Sequence, residues 1–66
     1  MSLSKCIVRI VLADEGTVYF VSWTSNGFRW TNSKDAATEV SYESFFNIKE
    51  RLEEYEDVEY VNYDYI

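Results

Sequence analysis

Histidine and proline are absent from this 66-residue sequence, cysteine occurs once and glycine twice. Without histidine the chain lacks the commonest general acid or base. The single thiol, Cys6, excludes a disulfide within the chain, and one cysteine without histidine does not supply the usual ligands of a structural zinc site. Cys6 also has no histidine to activate it and lies in an apolar stretch, where a thiol is an inert small hydrophobe. The two glycines are isolated and form no phosphate-cradling pattern. No apolar run approaches the ~20 residues of a membrane span. The start, Met1-Ser2-Leu3-Ser4-Lys5, is not followed by the apolar stretch of a signal peptide. A lone thiol and no signal fit a cytoplasmic setting. No catalytic residue, cofactor or metal is expected.

What is present is aromatic and acidic. Two Trp, four Phe and six Tyr make 18% of the residues, and a single domain this small, spanning 1–66, must draw its core largely from them. The net charge is −6 and unevenly placed. Residues 1–34 carry Lys5, Arg9, Arg29 and Lys34 against Asp14 and Glu15, net +2. Residues 35–66 carry ten acidic groups against Lys49 and Arg51, net −8. The acidity argues against direct nucleic-acid binding, which needs cations at the phosphates.

Periodicity divides the chain into strands and one helix. Ser4–Leu12, Thr17–Thr24 and Phe28–Thr31 read as three strands, with turn signals at Ala13-Asp14-Glu15-Gly16 and Asn26-Gly27. Two-residue loops at Glu15-Gly16 and Asn26-Gly27 place Val8, Ile10, Leu12, Tyr19, Val21, Trp23 and Trp30 on one face, with Trp23 opposite Trp30. A three-residue loop at Asp14-Glu15-Gly16 would pair Ile10 with Phe20 and bring Ser22 into the core, so the first register is preferred. Ile7, Val11 and Phe20 then cluster on the opposite face, a patch that a second copy could cover.

Ser41 reads as the N-cap of a helix from Tyr42 to about Tyr55, since Phe45, Ile48, Leu52 and Tyr55 recur at helical spacing and Phe46 widens the stripe. Val58–Tyr65 reads as a last strand, with Val61, Tyr63 and Tyr65 its slightly more apolar face. The fold expected is α+β: a mostly antiparallel twisted sheet of about four strands, ordered β-β-β-α-β, with one helix packed on one face.

Six acids crowd residues 50–59: Glu50, Glu53, Glu54, Glu56, Asp57 and Glu59. They fit a solvated acidic surface, a divalent-cation site of hard oxygens, or a recognition surface. The recognition reading draws on Glu43, Glu50, Glu54, Asp57 and Glu59 for charge and on Tyr60 and Tyr63 for apolar anchoring. Its partner is a protein with a basic surface, such as a groove built for nucleic-acid phosphates. The alternative is a homodimeric accessory protein whose acidity is only a solvated surface.

At Trp30-Thr31, Ala36-Ala37, Val40-Ser41 and Phe45 the chain resembles small uncharacterised proteins of bacteriophages and prophages. Those run as a short meander, a polar turn ending in alanine, a helix and a last strand, and the likeness covers roughly residues 17–62. Val40 stands where an aromatic is more usual. The resemblance carries over no catalytic residue. In size and charge the chain is similar to small acidic phage proteins that block host nucleases with negative surfaces, which implies a setting in the host cytoplasm.

Overall fold

A computed structural model describes residues 5–65. The expected strand start at Ser4 and the reading of Met1–Ser4 lie outside them. The elements are β1 (Lys5–Leu12), β2 (Gly16–Thr24), β3 (Gly27–Thr31), a 3-10 turn at Lys34–Ala36, β4 (Glu39–Ser41), α1 (Tyr42–Leu52) and β5 (Val58–Tyr65). They form a five-stranded antiparallel sheet with one helix, the α+β arrangement expected, with the short β4 as an additional strand.

β1 is the organising strand, because its run of Cys6, Ile7, Val8 and Ile10 is apolar on both faces and is buried almost throughout. β5 pairs with it along Cys6–Leu12. The other edge is shared: β2 pairs with Arg9–Leu12 and β4 with Lys5–Ile7. β2 can leave β1 because Thr38 takes up its freed groups. The Thr38 N–H donates to the Phe20 carbonyl at 3.3 Å, and its hydroxyl donates to the Val21 carbonyl at 2.6 Å.

The register between β1 and β2 differs from the expected one. Leu12 pairs with Gly16, Ile10 with Val18 and Arg9 with Tyr19, so the turn is the three residues Ala13, Asp14 and Glu15. Gly16, at φ +78, supplies the left-handed conformation that closes such a loop. The core face of β2 therefore starts with Val18 and Phe20, not Tyr19 and Val21. A bulge between Phe20 and Ser22 then changes the phase. It sends Ser22 outward opposite Arg29 and turns Trp23 inward opposite Phe28. Trp23 and Trp30 are not a cross-strand pair: Trp30 stands opposite Phe20, and the hairpin loop is Ser25-Asn26.

The same register dismantles the expected patch of Ile7, Val11 and Phe20. Phe20 lies in the core on the helix side, while Ile7 and Val11 point to the other side. Ile7 is itself only 3% exposed. It lies beside the segment that carries Lys34, Ala37 and Glu39.

α1 begins where its sequence says it should. The Ser41 hydroxyl accepts from the Ser44 N–H at 3.1 Å, satisfying one of the orphan donors of the first turn. Phe45, Ile48 and Leu52 face Cys6, Val8, Ile10, Leu12, Val18, Phe20 and Val61. Phe46 does not widen this stripe; it points away from the core and is 61% exposed. The helix stops at Leu52, earlier than the periodicity suggests. The Glu53 N–H completes the last helical bond to Lys49, and the Glu54 and Tyr55 N–H groups bond only three residues back, to Arg51 and Leu52. That tightened turn swings Tyr55 onto Phe28, with ring centroids 5.3 Å apart.

β5 shows Val61, Tyr63 and Tyr65 to the helix through their pairs Ile10, Val8 and Cys6. A bulge at Glu59 brings Val58 to that same face, opposite Leu12. Tyr60, Asn62 and Asp64 lie on the far face with Val11, Arg9 and Ile7.

Cys6 is fully buried in the core, and burial pushes its thiol above the ordinary value. In the native protein a disulfide reagent such as dithiobis-nitrobenzoate is expected to release no thiol signal at neutral pH. One equivalent should appear when denaturant is added. Prompt reaction without denaturant would contradict this placement of β1.

Candidate functional site

The outer face of α1 and the turn after it form an acidic surface. Glu43 and Glu50 project from the exposed side of the helix; Glu54, expected on that face, lies past the helix end in the turn with Glu56 and Asp57, and Glu59 follows at the start of β5, all exposed. The two nearby cations do not neutralise them. Lys49 is paired with Glu53 one turn on, and the Arg51 guanidinium lies over the Trp23 ring, 4.0 Å from its centroid. The remaining ion pairs among the described residues, Arg9 and Lys34 with Asp64, sit on the far face of the sheet, with Arg9 at 2.6 Å. Glu43, Glu50, Glu54, Glu56, Asp57 and Glu59 thus take part in none of these ion pairs.

The two tyrosines expected to anchor a partner do not share this surface. Tyr60 is 55% exposed on the far face, where its hydroxyl accepts from Asn62 Nδ2 at 3.2 Å. Tyr63 is half-buried on the helix face within an aromatic group. Its ring lies 5.2 Å from both Tyr42 and Phe45 and 5.6 Å from Tyr65, all edge to face. Tyr63 is therefore part of the packing that seats α1 on β5. The expected acids are exposed along the outer face of α1 and the turn after it, and neither tyrosine stands among them.

The structure also has a cleft that the sequence did not announce. β3 and the α1–β5 turn face one another across a volume of about 520 Å³, lined by Phe28, Trp30 and Tyr55, with Leu12 and Val58 at its base. Glu54, Glu56 and Asp57 stand around it. Trp30 and Tyr55 are 38% and 36% exposed, so their rings are partly open to solvent. The walls are held by backbone bonds: the Ala13 N–H donates to the Asp57 carbonyl at 2.9 Å, and the Val58 N–H to the Tyr55 carbonyl at 3.2 Å. Gly27 belongs to the same wall, and a Cβ there would stand 3.8 Å from the Tyr55 ring.

Burial raises the Tyr42 phenol above its ordinary value, with Tyr65 beside it adding to the effect. Hydrogen bonding with Tyr65, followed by its charge, raises Tyr63. Both groups hold their protons more tightly folded than unfolded. The stability they contribute is therefore complete below the free phenol value of 10.0 and falls as pH climbs through the raised values. An ultraviolet titration is expected to show Tyr42 and Tyr63 ionising late, and Tyr65→Phe should bring both earlier. Ionisation of Tyr42 and Tyr63 that Tyr65→Phe leaves unchanged would contradict their contact with Tyr65.

Among the described residues no three acidic or cysteine side chains converge as a metal-ligand set, so the acids of residues 50–59 are spread over the surface and not gathered at a point. Among the same residues no helix is long and apolar enough to cross a membrane. Compared with protein-family models, curated proteins and solved structures, the chain matches none.

Proposed function

We propose that this protein is a non-enzymatic binding domain that engages a basic surface on another protein through the exposed face of α1 and the turn into β5. The observation that carries this reading is the set of six unneutralised carboxylates running from Glu43 to Glu59, beside two cations committed to Glu53 and Trp23. Such a surface raises the rate of encounter with a positive patch and orients it. The similarity in size and charge to acidic phage proteins supports a nucleic-acid-binding host protein as the partner, held at the groove that otherwise takes phosphates. The absence of histidine from the chain and the inert burial of Cys6 support a role without catalysis.

The test is capture from a bacterial lysate with the protein as bait, compared at low and high ionic strength and against a variant carrying Glu43→Gln, Glu50→Gln, Glu54→Gln, Asp57→Asn and Glu59→Gln. A basic partner should be retained by the native bait at low salt alone and lost by the variant. Equal retention by both baits would refute the reading.

A homodimeric accessory protein is the competing reading, and one feature favours it. β5 is an eight-residue strand whose outer edge pairs with no other strand among the described residues. Against it, the Asn62 side chain already accepts from the Tyr63 N–H at 2.8 Å, occupying a backbone donor of that strand. Sedimentation at micromolar concentration separates the two: a species of 7.8 kDa removes the dimer.

A further inference from the structure

We infer that the cleft between β3 and the α1–β5 turn receives an arginine side chain of the partner protein, its guanidinium against Trp30 and Tyr55 and its charge facing Glu54, Glu56 and Asp57. The inference rests on the reading that the acidic surface binds a protein, and it names the chemistry of the contact.

Four observations lead there. The cleft, at about 520 Å³, lies within the range of roughly 300–1,000 Å³ typical of clefts that enclose a small group. Its walls are aromatic, and its rim carries three carboxylates and no cation. Ring faces are negative and attract cations, so ring and carboxylate select the same sign of charge and repel phosphate or carboxylate ligands. The site is also preformed: Tyr55 is set edge-on against Phe28, the Val58 N–H closes the turn on the Tyr55 carbonyl, and the Ala13 N–H ties the turn to the rest of the fold at the Asp57 carbonyl. Finally, the chain makes the same contact within itself. Arg51 stacks over Trp23, and Trp23 lies 6.5 Å from Phe28, the ring that lines the cleft. A planar guanidinium stacks on a ring face better than the compact ammonium of lysine does, which selects arginine.

An acetylated and amidated Gly-Arg-Gly peptide, titrated into the isotope-labelled protein and followed by amide and indole NMR, tests this. The expected result is a saturable shift centred on the Trp30 indole and on the amides of Phe28, Tyr55 and Asp57. The peptide with citrulline, which keeps the shape and loses the charge, should produce none of it. Trp30→Ala should weaken binding roughly two- to fivefold, the scale of one exposed cation–ring contact. Glu56→Gln, which leaves the aromatic walls intact, should weaken it as well and covers the case in which Trp30→Ala disturbs β3. Shifts centred on Glu43 and Glu50, equal shifts with citrulline, or no shift would each overturn the inference. Salt-sensitive binding of a captured partner whose dissociation constant is the same for the native protein, Trp30→Ala and Glu56→Gln would also overturn it while leaving the acidic-surface reading standing. Loss of salt sensitivity in the native bait would instead remove that reading itself.

Discussion

Phe45→Ala is expected to remove a large part of the protein's stability. Phe45 is 2% exposed and is the largest fully buried side chain in the core, between α1 and the β1–β5 pair. Truncating a buried phenylalanine costs about 3–5 kcal/mol, the sum of lost transfer energy and the cavity left behind. A domain of 66 residues has roughly 3–10 kcal/mol of stability in all. Repacking gives little relief, because the neighbouring Tyr63 ring is already held between Tyr42 and Tyr65. The adjacent Phe46 supplies the control. It is the same residue type, one position on, and solvent-facing, so Phe46→Ala should change stability by under about 1 kcal/mol. Urea unfolding followed by circular dichroism distinguishes them. Similar losses for both variants would mean that α1 packs on a different face.

The second large effect concerns association. Neutralising Glu43, Glu50, Glu54, Asp57 and Glu59 together should slow binding to a basic partner by about 10- to 1,000-fold at low salt, with most of the difference gone at high salt. The fold should survive, because all five side chains are exposed and none is in an ion pair among the described residues. Removing like charges from one surface should leave stability unchanged or raise it. The change is expected chiefly in the association rate, since long-range fields act before contact. The cleft residues act after contact, so a change there should appear mainly in the dissociation rate. Stopped-flow or surface-based kinetics read the two rates separately. A charge-neutral variant that associated as fast as the native protein would show the acidity to be a solvated surface and nothing more.

The parts of this fold set by local physics were legible in the sequence. Ser41 caps α1 because its hydroxyl reaches the Ser44 N–H, a contact between residues three apart. Phe45, Ile48 and Leu52 face the core because their spacing puts them on one side of a helix, and Val61, Tyr63 and Tyr65 share a face because a strand alternates. β2 misled because it was read with a single phase. Val18 and Phe20 are apolar at even positions and Trp23 at an odd one, with Ser22 between them. Only a slip of one residue buries all three rings and chains while keeping Ser22 out. The bulge after Phe20 makes that slip, and Thr38 supports it from a segment far along the chain. Ser22 interrupting an apolar run was the available signal.

The helix end and the cleft were illegible for a related reason. Tyr55 continues the helical period of Leu52, and nothing local marks the turn that redirects it. Its destination, Phe28, lies 27 positions earlier in the chain. The acidic residues could be found by counting charge. The aromatic walls beside them are brought together by β3 and the α1–β5 turn, elements that are adjacent only after folding.

The proposed function is recognition of a basic protein by the acidic surface of α1 and the turn into β5. Its most direct test is the ionic-strength dependence of the affinity between the native protein and the partner it captures. The dissociation constant should rise steeply and continuously with salt, and the quintuple neutral variant should show a much shallower rise. An affinity that is flat in salt, or one with the same slope in the native protein and the variant, would contradict the account.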